Sequence, residues 1–172
     1  MEDHVVIIGN GISGITAARN IRKKSKRPIT IISSETEYFF SRTALMYIYM
    51  GHMRFKDTQP YEAHFWEKNN LNLVFDKVNK VDTDNKTLIL DAKGEFKFDQ
   101  LILATGSKSN VFPWPGVEHE GVQGLYSAQD LESLENRSEA IDTAVIVGGG
   151  LIGIELAEML LSRDKKVIML VR

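Results

Sequence analysis

Val5-Val6-Ile7-Ile8-Gly9-Asn10-Gly11-Ile12-Ser13-Gly14 and Ala144-Val145-Ile146-Val147-Gly148-Gly149-Gly150-Leu151-Ile152-Gly153 repeat one pattern. In each, an apolar, β-branched run leads into G-x-G-x-x-G, and a helix-like stretch follows. A lone cluster of this kind is weak, because many turns need glycine. Two of them, each between a strand and a helix, point to two dinucleotides held by one polypeptide. The first glycine permits a tight turn out of the strand, and the second lets the backbone approach a pyrophosphate. The third lets helix and strand pack closely, so that free N–H groups and the positive helix end face the anion.

Outward from the first cradle, Ile12, Ile15, Ala18 and Ile21 recur near the helical period, which predicts a helix over about residues 12–24 with one buried face. Lys23-Lys24-Ser25-Lys26-Arg27 falls where that helix ends. Cations there favour the macrodipole, so the cluster reads as a solvated cap, and Pro28 prevents continuation. Ile29–Ile32 reads as the second strand, and Glu35 just past it is an acid suited to a ribose 2′-hydroxyl.

Beyond that unit, residues 38–51 predict a short helix closed by Gly51, and residues 61–68 a second one stopped by Asn69-Asn70. From Leu71 to Leu103 the pattern changes. Short strands at 71–75, 78–81, 87–90 and 96–98 are separated by polar turns, which predicts a β-meander, and the apolar strand 101–104 leads into Thr105-Gly106. Val111-Phe112-Pro113-Trp114-Pro115-Gly116 is the best crossover. A helix over 128–137 precedes the second unit, with a strand at 144–147, a helix at 151–162 and a strand at 167–171. The expected fold class is α/β. A Rossmann-like dinucleotide-binding domain with an inserted β-meander spans 1–110, a linker 111–124, and the first βαβ unit of a second Rossmann-like dinucleotide-binding domain 125–172.

Composition narrows the chemistry. A formal charge of −2 gives no electrostatic reason to expect nucleic acid or an anionic membrane. The sequence has no cysteine, which excludes disulfides, thiolate metal sites and a redox dithiol. His4, His52, His64 and His119 lack the spacing of a zinc helix, so no metal site is expected. Met1 leads almost directly into the first strand, and no apolar run reaches spanning length. A cytoplasmic protein without a membrane span is therefore the expectation.

Taken together, the chain resembles the FAD-dependent pyridine-nucleotide oxidoreductases. The likeness is to their cysteine-free branch, which includes rubredoxin and ferredoxin reductases and the flavin portion of NAD(P)H nitrite reductase. Four stretches carry the resemblance, in the family's order: Gly9–Gly14 with Glu35; Ser41-Arg42-Thr43-Ala44-Leu45; Phe98 through Ser107; and Val145–Gly153 with Glu155. The resemblance implies that the first domain is FAD-binding and the second NAD(P)-binding, that Gly9, Gly11, Ser13 and Gly14 wrap the FAD pyrophosphate, and that Glu35 holds the adenosine ribose. It implies that Arg42 contacts the isoalloxazine or the pyrophosphate, that a Val78 backbone group meets the adenine, and that Ala104, Thr105 and Gly106 turn against FAD. Gly148, Gly150 and Gly153 would bind NAD(P)H, with Glu155 near the nicotinamide end. The competing roles are a surface ion pair for Arg42 and a first-turn helix acid for Glu155. The cluster Met46, Tyr47, Tyr49, Met50 and Met53 reads as packing rather than a docking patch.

The implied activity is hydride transfer from NAD(P)H to FAD, then electron transfer to an acceptor: rubredoxin, ferredoxin, a nitrite reductase centre, oxygen or a quinone. The alternative is a dinucleotide-binding module without turnover, either a fragment or a redox sensor. No side-chain nucleophile is required, and no catalytic residue is assigned. Three departures stand out. No cysteine lies near 41–45, so disulfide reduction is excluded, and Tyr47 stands where several relatives carry a lysine. Leu170-Val171-Arg172 offers no acid to the second cradle; Arg172 would suit a 2′-phosphate and hence NADPH, or would be a frayed end. The Gly-Asp pair of a returning FAD segment is missing, so a longer protein is expected, and this stretch alone should bind FAD weakly or not at all and turn over poorly. An unpaired strand at a sheet edge would promote self-association, so a homodimer is compatible with the sequence.

Overall fold

A computed structural model describes residues 3–171. Along the chain run β1 (Val5–Ile8), α1 (Ile12–Lys24), β2 (Ile29–Ser33), α2 (Leu45–Tyr49), α3 (His64–Lys68), β3 (Leu71–Phe75), β4 (Val78–Asp82), β5 (Thr87–Leu90), β6 (Gly94–Lys97) and β7 (Gln100–Leu103). They are followed by α4 (Ala128–Arg137), β8 (Thr143–Val147), α5 (Leu151–Leu161) and β9 (Lys166–Leu170). The elements form two units: Met1–Phe40 with Gln59–Ser107, and Ser41–Thr58 with Lys108–Arg172. The stretch 41–58 thus belongs with the later part of the chain, whereas a linear reading assigns it to the first 110 residues.

In the first unit a parallel sheet runs in the order β3-β2-β1-β7. Its central strands, β1 and β2, alternate as a doubly covered sheet requires. Val5, Ile7, Ile29 and Ile31 face one layer with Ile15 and Ala18 of α1, Trp66 of α3 and Phe39. Val6 and Ile32 face the other layer with Leu88, Leu90 and Phe98 of the meander segment. The sequence places Leu71–Phe75 among the meander strands. It is instead the parallel edge strand of the main sheet, with Leu71 opposite Ile29 and Val74 opposite Ile32. The physical reason is that α3, directly before it, returns the chain to the start of the sheet as a crossover must. The meander proper is the antiparallel β4-β5-β6 sheet.

Helix α1 ends as the charge pattern predicts, with Arg22, Lys23 and Lys24 in its last turn. Arg22 goes further than a solvated charge. Its guanidinium donates to the carbonyls of Ser25, Arg27 and Asn70, taking up main-chain acceptors around the helix end. The predicted helix over 38–51 is shorter than expected: a 3-10 turn at Arg42–Ala44 and then α2, with Gly51 at φ +81° closing it. The helix predicted over 61–68 is likewise reduced to α3.

In the second unit β8 and β9 pair in parallel, with Val145 opposite Ile168 and Val147 opposite Leu170. Ala157, Met159 and Leu160 of α5 are buried, as are Leu45 and Tyr49 of α2. The Tyr49 hydroxyl shares a hydrogen bond of 2.8 Å with Ser138, so this buried phenol is satisfied. Helix α4 starts with a capping box between Ser127 and Asp130. Val145, Val147, Ile168 and Leu170 are each more than half exposed, as are Leu151 and Ile152. No helix among the described residues is long and apolar enough to cross a membrane.

Candidate functional site: twin glycine turns

The two cradles are built alike, atom for atom of backbone. Gly9 lies at φ +108° and Gly148 at φ +119°, a region that L side chains avoid. The Gly9 N–H donates to the Ile32 carbonyl at 2.8 Å, and the Gly148 N–H to the Leu170 carbonyl at 2.9 Å. Each turn is therefore latched to the strand that follows its helix. A Cβ on Gly14 would overlap the Gly9 carbonyl oxygen, and one on Gly153 would overlap that of Gly148. The third glycine is in both cases the condition for helix and strand to touch.

The middle glycines differ from these in an informative way. Gly11 and Gly150 are the N-caps of α1 and α5, with φ −69° and −76° and ψ −178° and 179°. That is extended backbone, which any residue adopts, so conformation does not demand glycine there. Packing does not demand it either, since no atom lies within 4 Å of a Cβ built on Gly11 or Gly150. The remaining reason for glycine is open space for something else. No side chain caps either helix, and neither first turn holds an acid. The first N–H groups of each helix have no carbonyl one turn back, so they and the positive helix end face that open space. A dinucleotide pyrophosphate fits this donor set, whereas a cation does not.

Other residues gather at the first cradle. The Ala104 N–H donates to the Ile8 carbonyl at 2.8 Å, and the Ala104 carbonyl is what a Cβ on Gly9 would overlap. Thr105 follows, and Gly106 turns the chain at φ +69°. Ser13 is exposed in the first turn of α1. Glu35 is half-buried in the loop after β2, and its N–H lies 3.4 Å from the Ser33 hydroxyl. Val78 begins β4 opposite Leu90 and packs into the meander core.

Arg42 belongs to the second unit. Its guanidinium donates to the Tyr126 carbonyl and lies 4.3 Å from the centre of the Tyr126 ring. Tyr126 has no signal in the sequence beyond being an aromatic residue. Glu155 is exposed and is the fifth residue of α5. The first-turn acid role therefore does not apply to it. Arg172 lies outside the described residues.

A family model described as Pyridine nucleotide-disulphide oxidoreductase matches residues 3–172. The chain is 35% identical over 161 residues to Nitrite reductase [NAD(P)H] of Bacillus subtilis (strain 168), covering 92% of this chain and 20% of that protein. It is 30% identical over 159 residues to the Assimilatory nitrate reductase electron transfer subunit of the same organism, covering 91% of this chain and 21% of the relative. In three dimensions it is similar to the NADH:rubredoxin oxidoreductase from Clostridium acetobutylicum, with a TM-score of 0.88 and 27% identity over 99% of this chain and 45% of that one. The chain thus spans about one fifth of the length of the two sequence relatives.

Proposed function

Because the chain belongs to the pyridine nucleotide-disulphide oxidoreductase family, we propose that it serves as a flavin oxidoreductase, taking a hydride from NAD(P)H onto FAD and passing electrons to a protein or small-molecule acceptor. The observation that carries this reading is the pair of latched glycine turns, each with an uncapped helix end and open space before its middle glycine. Gly9, Gly11, Ser13 and Gly14 would hold the FAD pyrophosphate, Glu35 the adenosine ribose, Val78 the adenine, and Ala104, Thr105 and Gly106 the near side of the same group. Gly148, Gly150, Gly153 and Glu155 would hold the nicotinamide dinucleotide. Arg42, fixed by Tyr126, would present its charge to the flavin. When bound, FAD supplies the two-electron chemistry, and the protein's part is to bind, orient and exclude water. Without a cysteine, the chain has no dithiol on which electrons could pause.

The family relatives support an acceptor that is itself a redox centre, since two of them carry nitrite reductase and rubredoxin in their names. Arg172, placed on the adenosine ribose of the nicotinamide dinucleotide, would favour a 2′-phosphate and hence NADPH. The test is calorimetric titration with ADP-ribose, followed by anaerobic addition of NADH or NADPH to protein equilibrated with FAD. Two binding events, and bleaching of the flavin absorbance by one of the nucleotides, are expected. No ADP-ribose binding, or FAD that binds but never bleaches, would overturn the assignment.

A further inference from the structure

The two cradles differ at three internal positions, 10/149, 12/151 and 13/152, and the first of these, between the first and second glycines, is the one that bears on the turn itself. In the second cradle it is Gly149, where a Cβ would come within 2.8 Å of the Val171 side chain. In the first it is Asn10, whose side chain is only 6% exposed. A carboxamide in that position carries a desolvation cost unless it is bonded. Its Nδ2 donates to the Thr36 carbonyl at 2.8 Å, across 26 residues of chain. A carbonyl acceptor requires the amide nitrogen to face it, so the orientation of the side chain is settled by its partner.

Thr36 is the neighbour of Glu35. The short loop that carries Glu35 departs from β2 at Ser33, and three of its hydrogen bonds bear on where it sits. The Ser33 hydroxyl faces the Glu35 N–H at 3.4 Å, the Thr36 hydroxyl donates to the Tyr38 carbonyl at 2.8 Å, and Asn10 holds the Thr36 carbonyl. The first two are local ties within the loop. The Asn10 bond alone of the three connects the loop to the glycine turn itself. Backbone of a surface loop is otherwise free to shift by more than a hydrogen bond tolerates.

We infer that Asn10 is a positioning residue that sets Glu35 relative to the first glycine turn, and so fixes how far from the pyrophosphate a ribose is gripped. The inference rests on the reading of Glu35 as the ribose acid. It also accounts for the asymmetry between the cradles. The first spends a buried polar group on joining turn and loop, and the second leaves room with a glycine for the Val171 side chain instead.

The test has a ligand-free arm and a ligand arm. In the ligand-free protein, Asn10→Ala should speed amide hydrogen exchange of residues 34–38 by about fivefold or more, with Ile29–Ile32 unchanged, as loss of one buried hydrogen bond implies. With FAD as the probe, Asn10→Ala should raise Kd about five- to tenfold. The same substitution in a Glu35→Ala background should change Kd less than about twofold, because a positioning residue acts only through the group it positions. A purely structural role, damage to the glycine turn, would give the same loss in both backgrounds and would overturn the inference. Unchanged exchange at 34–38 would overturn it also. Should FAD bind the unmutated chain too weakly to read, ADP-ribose takes its place as the probe; if the unmutated chain binds neither, the ribose reading of Glu35 fails, and the exchange arm decides whether Asn10 holds the loop.

Discussion

Replacing the middle and the third glycine of one turn by alanine should separate binding from folding. Gly14→Ala places a methyl group on the Gly9 carbonyl oxygen and 3.3 Å from Ile7 Cγ2. The overlapped atom is backbone, so the helix must move off the strand, and overpacking of that kind costs about 3 kcal/mol at its upper range. Alanine recovers about 1 kcal/mol of helix propensity, leaving a net loss of about 2 kcal/mol. Gly11→Ala meets nothing within 4 Å and keeps an allowed φ of −69°. Its two small terms oppose each other: alanine is the poorer N-cap by several tenths of a kcal/mol, and it lowers unfolded-chain entropy by about as much. Stability should therefore stay within about 0.5 kcal/mol, while the new methyl fills the space before the helix end. ADP-ribose or FAD affinity should fall about tenfold or more, equivalent to at least about 1.4 kcal/mol. Urea denaturation and calorimetry on the two variants read these numbers, and Gly150→Ala with Gly153→Ala repeats the comparison in the second turn. If Gly11→Ala unfolds the chain as readily as Gly14→Ala, or binds nucleotide normally, the open space in front of Gly11 is not a ligand site.

Two further outcomes concern stability. Asp76 is buried and accepts main-chain N–H bonds from Lys77, Ala92 and Lys93, joining the end of β3 to the turn before β6. Burial alone would raise its pKa, but those donors and the Lys93 charge outweigh it and hold the carboxyl below the ordinary carboxylate range. A depressed folded-state pKa stabilises above the unfolded value of about 3.9, and the benefit is lost as pH falls through the folded value. The gap in urea midpoint between wild type and Asp76→Asn should be widest near neutrality and close in acid below that range; a gap independent of pH would refute the charge argument. Trp66 is 4% exposed, packs edge-on against Phe65 and Tyr61, and has an indole N–H with no hydrogen-bond partner. Trp66→Phe should thus change stability by no more than about 1 kcal/mol, whereas Trp66→Ala should cost about 3–5 kcal/mol, both read by thermal or urea unfolding.

What the sequence made legible is what depends on near neighbours. Glycine spacing located both turns, the period of Ile15, Ala18 and Ile21 located the buried face of α1, and Pro28 located its stop. Ile12, in the same series, is instead 67% exposed, because it stands in the first turn beside the open cradle and beyond the reach of the core. Strand membership was harder, because Leu71–Phe75 has the same composition whether it joins a meander or the edge of a parallel sheet. Its partner, β2, lies some forty residues earlier, with Leu71 opposite Ile29, and only that pairing decides. The same limit hid the association of 41–58 with the later chain and the bond from Arg42 to Tyr126, separated by 84 residues. Asn10 was hidden differently. Between two glycines, it reads as a filler until the Thr36 carbonyl is seen in front of it.

The second turn rides on a thinner support than the first. Its β8–β9 ribbon leaves Val145, Val147, Ile168 and Leu170 more than half exposed on one side, so those side chains bring only part of the gain that full burial would give. Opening should begin in this ribbon, with proteases and hydrophobic dyes finding it first. A nucleotide seated at Gly148–Gly153 would be bound by the folded ribbon and not by the opened one, so it would act as a clamp on the weakest part of the molecule.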